Sequence, residues 1–135
     1  MWKCPKCRRS FSKINQSHSC TNYPLEKHLK GKERGTALLN ELVKLMKKEG
    51  IKFNIDSVPC CIHFVNISIF AAAWVLKDKI KIDFRLNRRI KSKIIIKTSK
   101  ISANRYVYYL EIKEKSEISK EVLKWILESY KLTKL

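Results

Sequence analysis

The sequence predicts an α+β fold that consists of a helix, an antiparallel sheet of four to five strands and a C-terminal helix, preceded by a short segment without a core of its own. Two observations lead to this prediction. Short runs of β-branched and aromatic residues follow one another through the middle of the chain, and an amphipathic helical pattern stands on either side of them. Such an order is typical of a sheet that helices cover on one face.

The chain divides into three segments, which we call the knuckle segment, the connector and the α+β domain: residues 1–22, 23–35 and 36–135. The knuckle segment has little apolar periodicity. The connector is polar and contains the breakers Pro24, Gly31 and Gly35. A helix is predicted to begin at Thr36, because apolar residues then recur every three or four positions until Gly50, where a helix can end.

Five strands are predicted to follow this helix, at residues 60–65, 69–76, 79–86, 94–96 and 106–112. The alternation is clearest in 79–86, where every second residue is apolar. Because 69–76 is apolar on both faces, we expect a central strand, with Trp74 in the core. Lys77 and Asp78 form a predicted tight turn. A final helix with one apolar stripe is predicted at 119–131.

Four potential metal ligands lie within the first twenty residues: Cys4, Cys7, His18 and Cys20. A tight turn brings the two thiolates of a C-x2-C pair to one ion. Zinc prefers four such ligands in a tetrahedron, about 2.3 Å from sulfur and about 2.0 Å from imidazole nitrogen. Since four protein ligands leave no open position, we expect one structural Zn²⁺. The spacing also allows His28 to replace His18, and this alternative stays open.

These residues carry a resemblance to a known family. The run W-K-C-P-K-C-R-R-S-F, followed by N-Q-S-H-S-C, resembles the N-terminal knuckle of a family of uncharacterised microbial proteins. There, W-x-C-P-x-C-G-R-x-F…N-Q-x-H-S-C precedes a small α+β domain of unknown function. The resemblance implies that the metal set is the one named above, with His28 as its rival, and it implies no activity. Arg8 stands where the family has glycine, which leaves the shape of the knuckle turn open.

The chain is strongly basic, with 30 Lys and Arg against 12 Asp and Glu and a net charge of +18. Such a charge attracts polyanions, chiefly nucleic acid. The alternative is a Lys-rich composition that merely reflects an AT-rich coding sequence and covers solvated faces. The residues predicted to contact phosphates form two clusters: Arg8, Arg9 and Lys13 in the knuckle segment, and Arg85, Arg88 and Arg89 near the end of a strand.

A few other side chains could carry chemistry. Cys60 and Cys61 are adjacent, and in a strand they would point to opposite faces, so we do not expect them to share an ion. Cys61 and His63 would share one face, as a nucleophile and base that require an acid such as Asp83 to complete the site. An exposed Tyr109 beside lysine would offer a base a stacking surface, although a core position is favoured.

The leading expectation is a small zinc-binding protein that contacts nucleic acid without sequence specificity. The alternatives are a protein-interaction or small-ligand-binding module with a purely structural zinc, and a Cys/His enzyme. We expect no membrane association, because no run of about 18 apolar residues is present. We expect a cytoplasmic location, because the N-terminus lacks the pattern of a signal peptide. The oligomeric state is not predicted.

Overall fold

The computed structural model describes residues 2–5, 10, 11, 14, 15 and 23–133. Its main feature is a six-stranded antiparallel sheet, against which two long helices pack. The predicted α+β class is therefore confirmed. The predicted number of strands was too low, because the main sheet has six strands rather than four or five.

The helices and strands have the following bounds. The helices are α1 (Leu25–Leu29), α2 (Glu33–Lys48) and α3 (Lys120–Leu132), and a 3-10 helix lies at Lys115–Glu117. A separate hairpin pairs β1 (Trp2–Lys3) with β2 (Ser10–Phe11). The main sheet contains β3 (Asn54–Ser57), β4 (Ile62–Val65), β5 (Ile69–Val75), β6 (Ile80–Leu86), β7 (Ile95–Ser102) and β8 (Arg105–Ile112). Their spatial order is β3-β4-β5-β6-β8-β7.

The hydrophobic core lies between one face of this sheet and the helices α2 and α3. Strand β6 alternates as predicted, because Ile80, Ile82, Phe84 and Leu86 are all buried in the core cluster. Burying a side chain of this size contributes about 1.5–3 kcal/mol each. The residues between them, among them Lys81, therefore point to the opposite side, which we call the outer face.

Helix α2 begins at Glu33, three residues before the predicted start, because Gly35 lies inside the helix and does not break it. A Cβ atom at Gly35 would lie within contact distance of the Leu76 carbonyl oxygen and 2.8 Å from Cγ1 of Val75. Glycine thus lets the helix approach the end of β5 closely. The predicted connector contains α1 and the first residues of α2.

Both edges of the sheet differ from the prediction. Strand β3 was not predicted, because its four residues lack an apolar alternation. Strand β7 is longer than the predicted 94–96, and its outer residues are mostly polar. The final helix begins at Lys120, where the Ser119 hydroxyl caps it by accepting a 3.2 Å hydrogen bond from the Val122 N–H. No helix of the described residues is both long and apolar enough to cross a membrane.

Candidate functional site

Four side chains from adjacent strands meet on the outer face and form what we call the basic-aromatic patch: Trp74, Lys81, Tyr109 and Lys97. The sheet register brings them together. Trp74 on β5 pairs with Lys81 on β6, and Tyr109 on β8 pairs with Lys97 on β7. All four are partly or fully exposed, and the sequence neighbours of Trp74, Lys81 and Tyr109 alternate into the core.

The two lysines of this patch lie over the aromatic rings. Nζ of Lys81 is 5.8 Å from the ring centroid of Trp74 and 5.4 Å from that of Tyr109. Nζ of Lys97 is 5.5 Å from the Tyr109 centroid. The two rings are 6.2 Å apart and tilted by 43°. Each cation–π contact at an exposed site contributes about 0.5–1 kcal/mol, so the patch has a defined arrangement.

The nearby carboxylate on β8, Glu111, forms no ion pair with Lys81, although the charge of Lys81 helps to lower the pKa of Glu111. Glu111 forms a salt bridge with Lys79 instead. This hydrogen bond raises the pKa of Lys79 and lowers the pKa of Glu111. Among the described residues, neither Lys81 nor Lys97 forms an ion pair. Both ammonium groups are therefore available to a ligand.

A buried carboxyl group lies beside the patch. Asp83 on β6 pairs with Ala72 on one side and Tyr109 on the other, and it is only 4% exposed. Its burial raises the pKa of the carboxyl group to about 6, although Arg85, the Ala72 backbone and Lys81 oppose this shift. Its Oδ1 atom has no hydrogen-bond partner in the described part of the chain. Ionisation of the Asp83 carboxyl group therefore lowers the stability of the folded protein.

The second predicted phosphate-binding cluster consists of three arginines that each contact a different partner within the fold. Arg85 donates a 2.8 Å hydrogen bond from its guanidinium group to the Ile69 carbonyl oxygen, and its Nε is buried. Arg88 forms two 3.0 Å hydrogen bonds with the Glu128 carboxylate. Its charge is therefore already paired within the protein.

Arg89 is the remaining member of that cluster. Its guanidinium carbon lies 5.6 Å from the Tyr106 ring centroid, and its Nε is 3.4 Å from the Tyr106 hydroxyl oxygen. This contact lowers the pKa of Tyr106. The first cluster, Arg8, Arg9 and Lys13, lies outside the described residues.

The predicted zinc ligands are described only at Cys4. This residue follows β1 directly and is 4% exposed. β1 pairs with β2, so Cys4 lies directly after a strand of this small sheet. The other three predicted ligands, Cys7, His18 and Cys20, lie outside the described residues. The structural zinc site stays a prediction.

His28, the alternative to His18 as a zinc ligand, belongs to α1 and contacts the turn between β3 and β4. Its Nε2 lies 2.8 Å from the Val58 carbonyl oxygen and therefore donates a hydrogen bond to it. Its ring packs 4.8 Å from the ring of Tyr23. Only Nδ1 remains for a metal, and a ligating histidine often donates its other N–H to a carbonyl oxygen in this way. The choice between His18 and His28 stays open.

A second group of potential ligands lies at that turn. Sγ of Cys60 is 3.1 Å from Sγ of Cys61, which is 3.1 Å from Nε2 of His63. All three ligand atoms lie within 4.8 Å of one another, and the group could hold a metal ion. The expectation that the two adjacent cysteine side chains point to opposite faces was therefore wrong.

The reason is that Cys60 belongs to a turn and not to a strand. Val58 and Cys61 exchange two backbone hydrogen bonds of 3.1 and 3.2 Å, with Pro59 and Cys60 between them. Proline at the second position fixes the backbone for such a turn. Strand alternation begins only at Ile62, so it does not separate the two sulfur atoms.

The same geometry does not suit a nucleophilic cysteine. Burial raises the pKa of the Cys61 thiol to about 12, and the hydrogen bond with Cys60 adds to the shift. Reactive cysteines have lowered pKa values, because the thiolate is the nucleophile. Although Cys61 and His63 are in contact, as an enzyme would require, the thiol is protonated at neutral pH.

The sequence missed the basic-aromatic patch because it placed Trp74 in the core. The misleading signal was the apolar character of both faces of β5, where Ala72 is buried on the outer side and Phe70 enters the core. A usable signal existed in the two neighbouring strands. Lys81 and Tyr109 both lie on the polar side of an alternating pattern.

Comparisons with known proteins identify a family for this chain, and they indicate no activity. Neither the curated proteins nor the solved structures contain a significant match to the chain. The model of one family, the domain of unknown function DUF5655, matches residues 25–133. This match covers all three helices and the whole six-stranded sheet. The chain belongs to the DUF5655 domain family.

Proposed function

We propose that this protein binds single-stranded nucleic acid without sequence specificity through the basic-aromatic patch on the outer face. The observation that carries the proposal is the position of Lys81 and Lys97 over the rings of Trp74 and Tyr109. Proteins of this kind combine a positively charged surface along the backbone with aromatic side chains on which bases stack.

The physical contributions can be assigned to particular groups. The rings of Trp74 and Tyr109 offer two stacking surfaces, and stacking is worth about 1–3 kcal/mol per base. Lys81 and Lys97 contact the phosphates that flank those bases. The net charge of +18 supports the association at longer range. Since stacking accepts every base, binding has little sequence preference.

Two expectations from the sequence, about zinc and about location, are part of the proposal. One structural Zn²⁺, held by Cys4, Cys7, Cys20 and either His18 or His28, orders the knuckle segment and fixes Arg8 and Arg9 for additional phosphate contacts. The protein acts in the cytoplasm, where thiol ligands stay reduced.

Fluorescence anisotropy with a labelled mixed-sequence single strand tests this proposal. Trp74→Leu and Tyr109→Leu remove one ring each while keeping apolar volume on the outer face. We expect each to weaken binding about 5- to 150-fold, the equivalent of losing about 1–3 kcal/mol of stacking. Unchanged affinity in both variants, with unchanged melting temperatures, would rule out the patch as the stacking surface.

Charge-matched variants separate a local site from general attraction. Lys81→Gln/Lys97→Gln removes two charges from the patch, whereas Lys44→Gln/Lys48→Gln removes two exposed charges from α2, on the other side of the sheet. Arg88→Gln removes a charge that Glu128 already pairs. We expect the first variant to lose far more affinity than the two controls. Equal losses in the two double variants would show that only the net charge matters.

The form of the nucleic acid provides a further readout. A base in a duplex cannot stack on Trp74 without leaving its neighbours, and extruding it costs a few kcal/mol. We therefore expect tighter binding to a single strand than to a duplex of the same sequence and label. Tighter binding to the duplex would contradict stacking on these rings.

A further inference from the structure

We infer that Cys60, Cys61 and His63 form a second metal site, which binds a thiophilic ion of the Zn²⁺ type and is independent of the knuckle segment. The inference begins with the juxtaposition of the three side chains. Two sulfur atoms and one imidazole nitrogen lie within 4.8 Å of one another. They belong to one turn and the strand that follows it.

The distances are close to those that a zinc ion requires. In a tetrahedral site with about 2.3 Å from zinc to sulfur, two sulfur atoms are separated by about 3.7 Å. The Sγ–Sγ distance of 3.1 Å is about 0.6 Å shorter than this. The Sγ–Nε2 distance of 3.1 Å is about 0.4 Å shorter than the separation of about 3.5 Å that a zinc–nitrogen distance of about 2.0 Å gives. Small side-chain rotations at the exposed Cys60 and the half-buried His63 would open the group enough for an ion.

The backbone holds the ligands in place before any ion binds. Two hydrogen bonds between Val58 and Cys61 close the turn, and Pro59 fixes its second position. His28 of α1 donates a further hydrogen bond to the Val58 carbonyl oxygen. His63 is the second residue of β4, and its Nε2 lies 3.1 Å from Sγ of Cys61 at the end of the turn. This preorganisation lowers the entropy that binding has to overcome.

Charge also favours an ion in this position. Cys61 is buried, and an unpaired thiolate there would be costly. Zn²⁺ bound to two thiolates and a neutral imidazole has no net charge, and its binding releases two protons from the two thiols. The site then contains no uncompensated buried charge.

The coordination differs from that of the knuckle. Three protein ligands leave one position of the tetrahedron, which water or another small ligand fills. Cys60 is exposed, so the ion can enter from solvent and exchange. We therefore expect a labile ion at this site, in contrast to the closed four-ligand set predicted for the knuckle.

Cobalt titration of the full-length chain tests the inference. The experiment uses Cys4→Ser/Cys7→Ser as a background, which lacks half of the predicted knuckle ligands, and a non-thiol reductant. We expect about one equivalent of Co²⁺ to bind, with a sulfur-to-cobalt charge-transfer band in the near ultraviolet. Adding Cys60→Ser or His63→Gln should abolish the band or weaken binding at least tenfold. Adding His28→Gln should retain it.

Protection of the thiols from alkylation provides an independent readout. In the Cys4→Ser/Cys7→Ser background, we expect Zn²⁺ to slow alkylation of the exposed Cys60 at least tenfold, as measured by mass spectrometry. Circular dichroism confirms that each variant is folded. The inference is wrong if the background variant binds no Co²⁺, if binding is unaffected by Cys60→Ser, or if Zn²⁺ gives Cys60 no protection.

Discussion

The hydroxyl group of Ser129 donates a 2.6 Å hydrogen bond to the Phe70 carbonyl oxygen, and both residues are almost fully buried. The Ser129 hydroxyl oxygen in turn accepts a 3.0 Å hydrogen bond from the backbone N–H of Arg85. One side chain of α3 thus links the helix to the neighbouring strands β5 and β6. These strands carry Trp74 and Lys81, so the link supports the sheet on which the basic-aromatic patch is built.

Replacing Ser129 with alanine should therefore destabilise the protein. Ser129→Ala leaves the Arg85 N–H and one side of the Phe70 carbonyl without a partner. We expect the free energy of unfolding to fall by about 1–3 kcal/mol, measured by urea denaturation. Ser102→Ala, at an exposed serine on β7, should change it by less than about 0.5 kcal/mol. Equal effects of the two substitutions would show that the buried hydrogen bonds do not matter.

For Gly35→Ala, the sign of the stability change distinguishes a close helix–strand contact from an unconstrained helix position. In an unconstrained helix, Gly→Ala stabilises by about 1 kcal/mol. At Gly35 the added methyl group meets the Leu76 carbonyl oxygen and the Val75 side chain. We therefore expect Gly35→Ala to lower the melting temperature, with an overpacking cost of about 1–3 kcal/mol. Asn40→Ala, at an exposed position of α2, should raise it slightly. A stabilised Gly35→Ala variant would refute the close approach of α2 to β5.

Asp83 should make stability depend on pH. Its pKa is about 6 in the folded protein and about 4 in an unfolded chain. The folded state therefore binds the proton more tightly, and this contribution to stability is present below about pH 4 and lost as the pH rises to about 6. Above that range, the loss is on the order of 3 kcal/mol.

Asp83→Asn removes this titration. In urea unfolding at pH 4, 5, 6 and 7, the stability of the variant relative to the original protein should increase across this range. Asp78→Asn, in the exposed turn between β5 and β6, is the matched control and should not change the pH profile. Parallel profiles for Asp83→Asn and the original protein would show that the carboxyl group is not desolvated as described.

Removal of metal should affect the knuckle segment selectively. Structural zinc in small fingers contributes on the order of 10 kcal/mol of apparent binding free energy, so its loss unfolds the segment that it orders. We expect a chelator, or Cys4→Ser, to accelerate amide exchange in residues 1–22 and to leave the α+β domain protected. Unchanged exchange in residues 1–22 after metal removal would refute the predicted zinc knuckle.

Much of the fold could be predicted because the local signals agree with the tertiary structure. The period-two pattern of β6 and the apolar stripe of α3 correspond to the faces that pack in the core. The edge strand β3 could not be predicted, because Ile55 is the one apolar residue among its four and gives no alternating signal. The early start of α2 depends on the packing of Gly35 against β5, which no local pattern reveals.

The candidate sites were harder to predict, because they depend on pairing across strands. Trp74 reaches the outer face through the register of β5 with β6, whereas its surrounding sequence is apolar. Cys60 and Cys61 meet because a turn replaces the strand that was expected there. Arg85 and Arg88 form a basic run in the sequence, yet hydrogen bonds within the fold engage both guanidinium groups.

The salt dependence of single-strand binding tests the central claim most directly. For a single strand, the logarithm of the binding constant falls with the logarithm of salt concentration, with a slope of about −0.7 for each phosphate neutralised. Between 50 and 200 mM salt, we predict that Lys81→Gln/Lys97→Gln reduces the magnitude of this slope by about 1.4. The same slope in this variant and in the original protein, or no binding at 50 mM salt, would contradict nucleic-acid binding at the outer face.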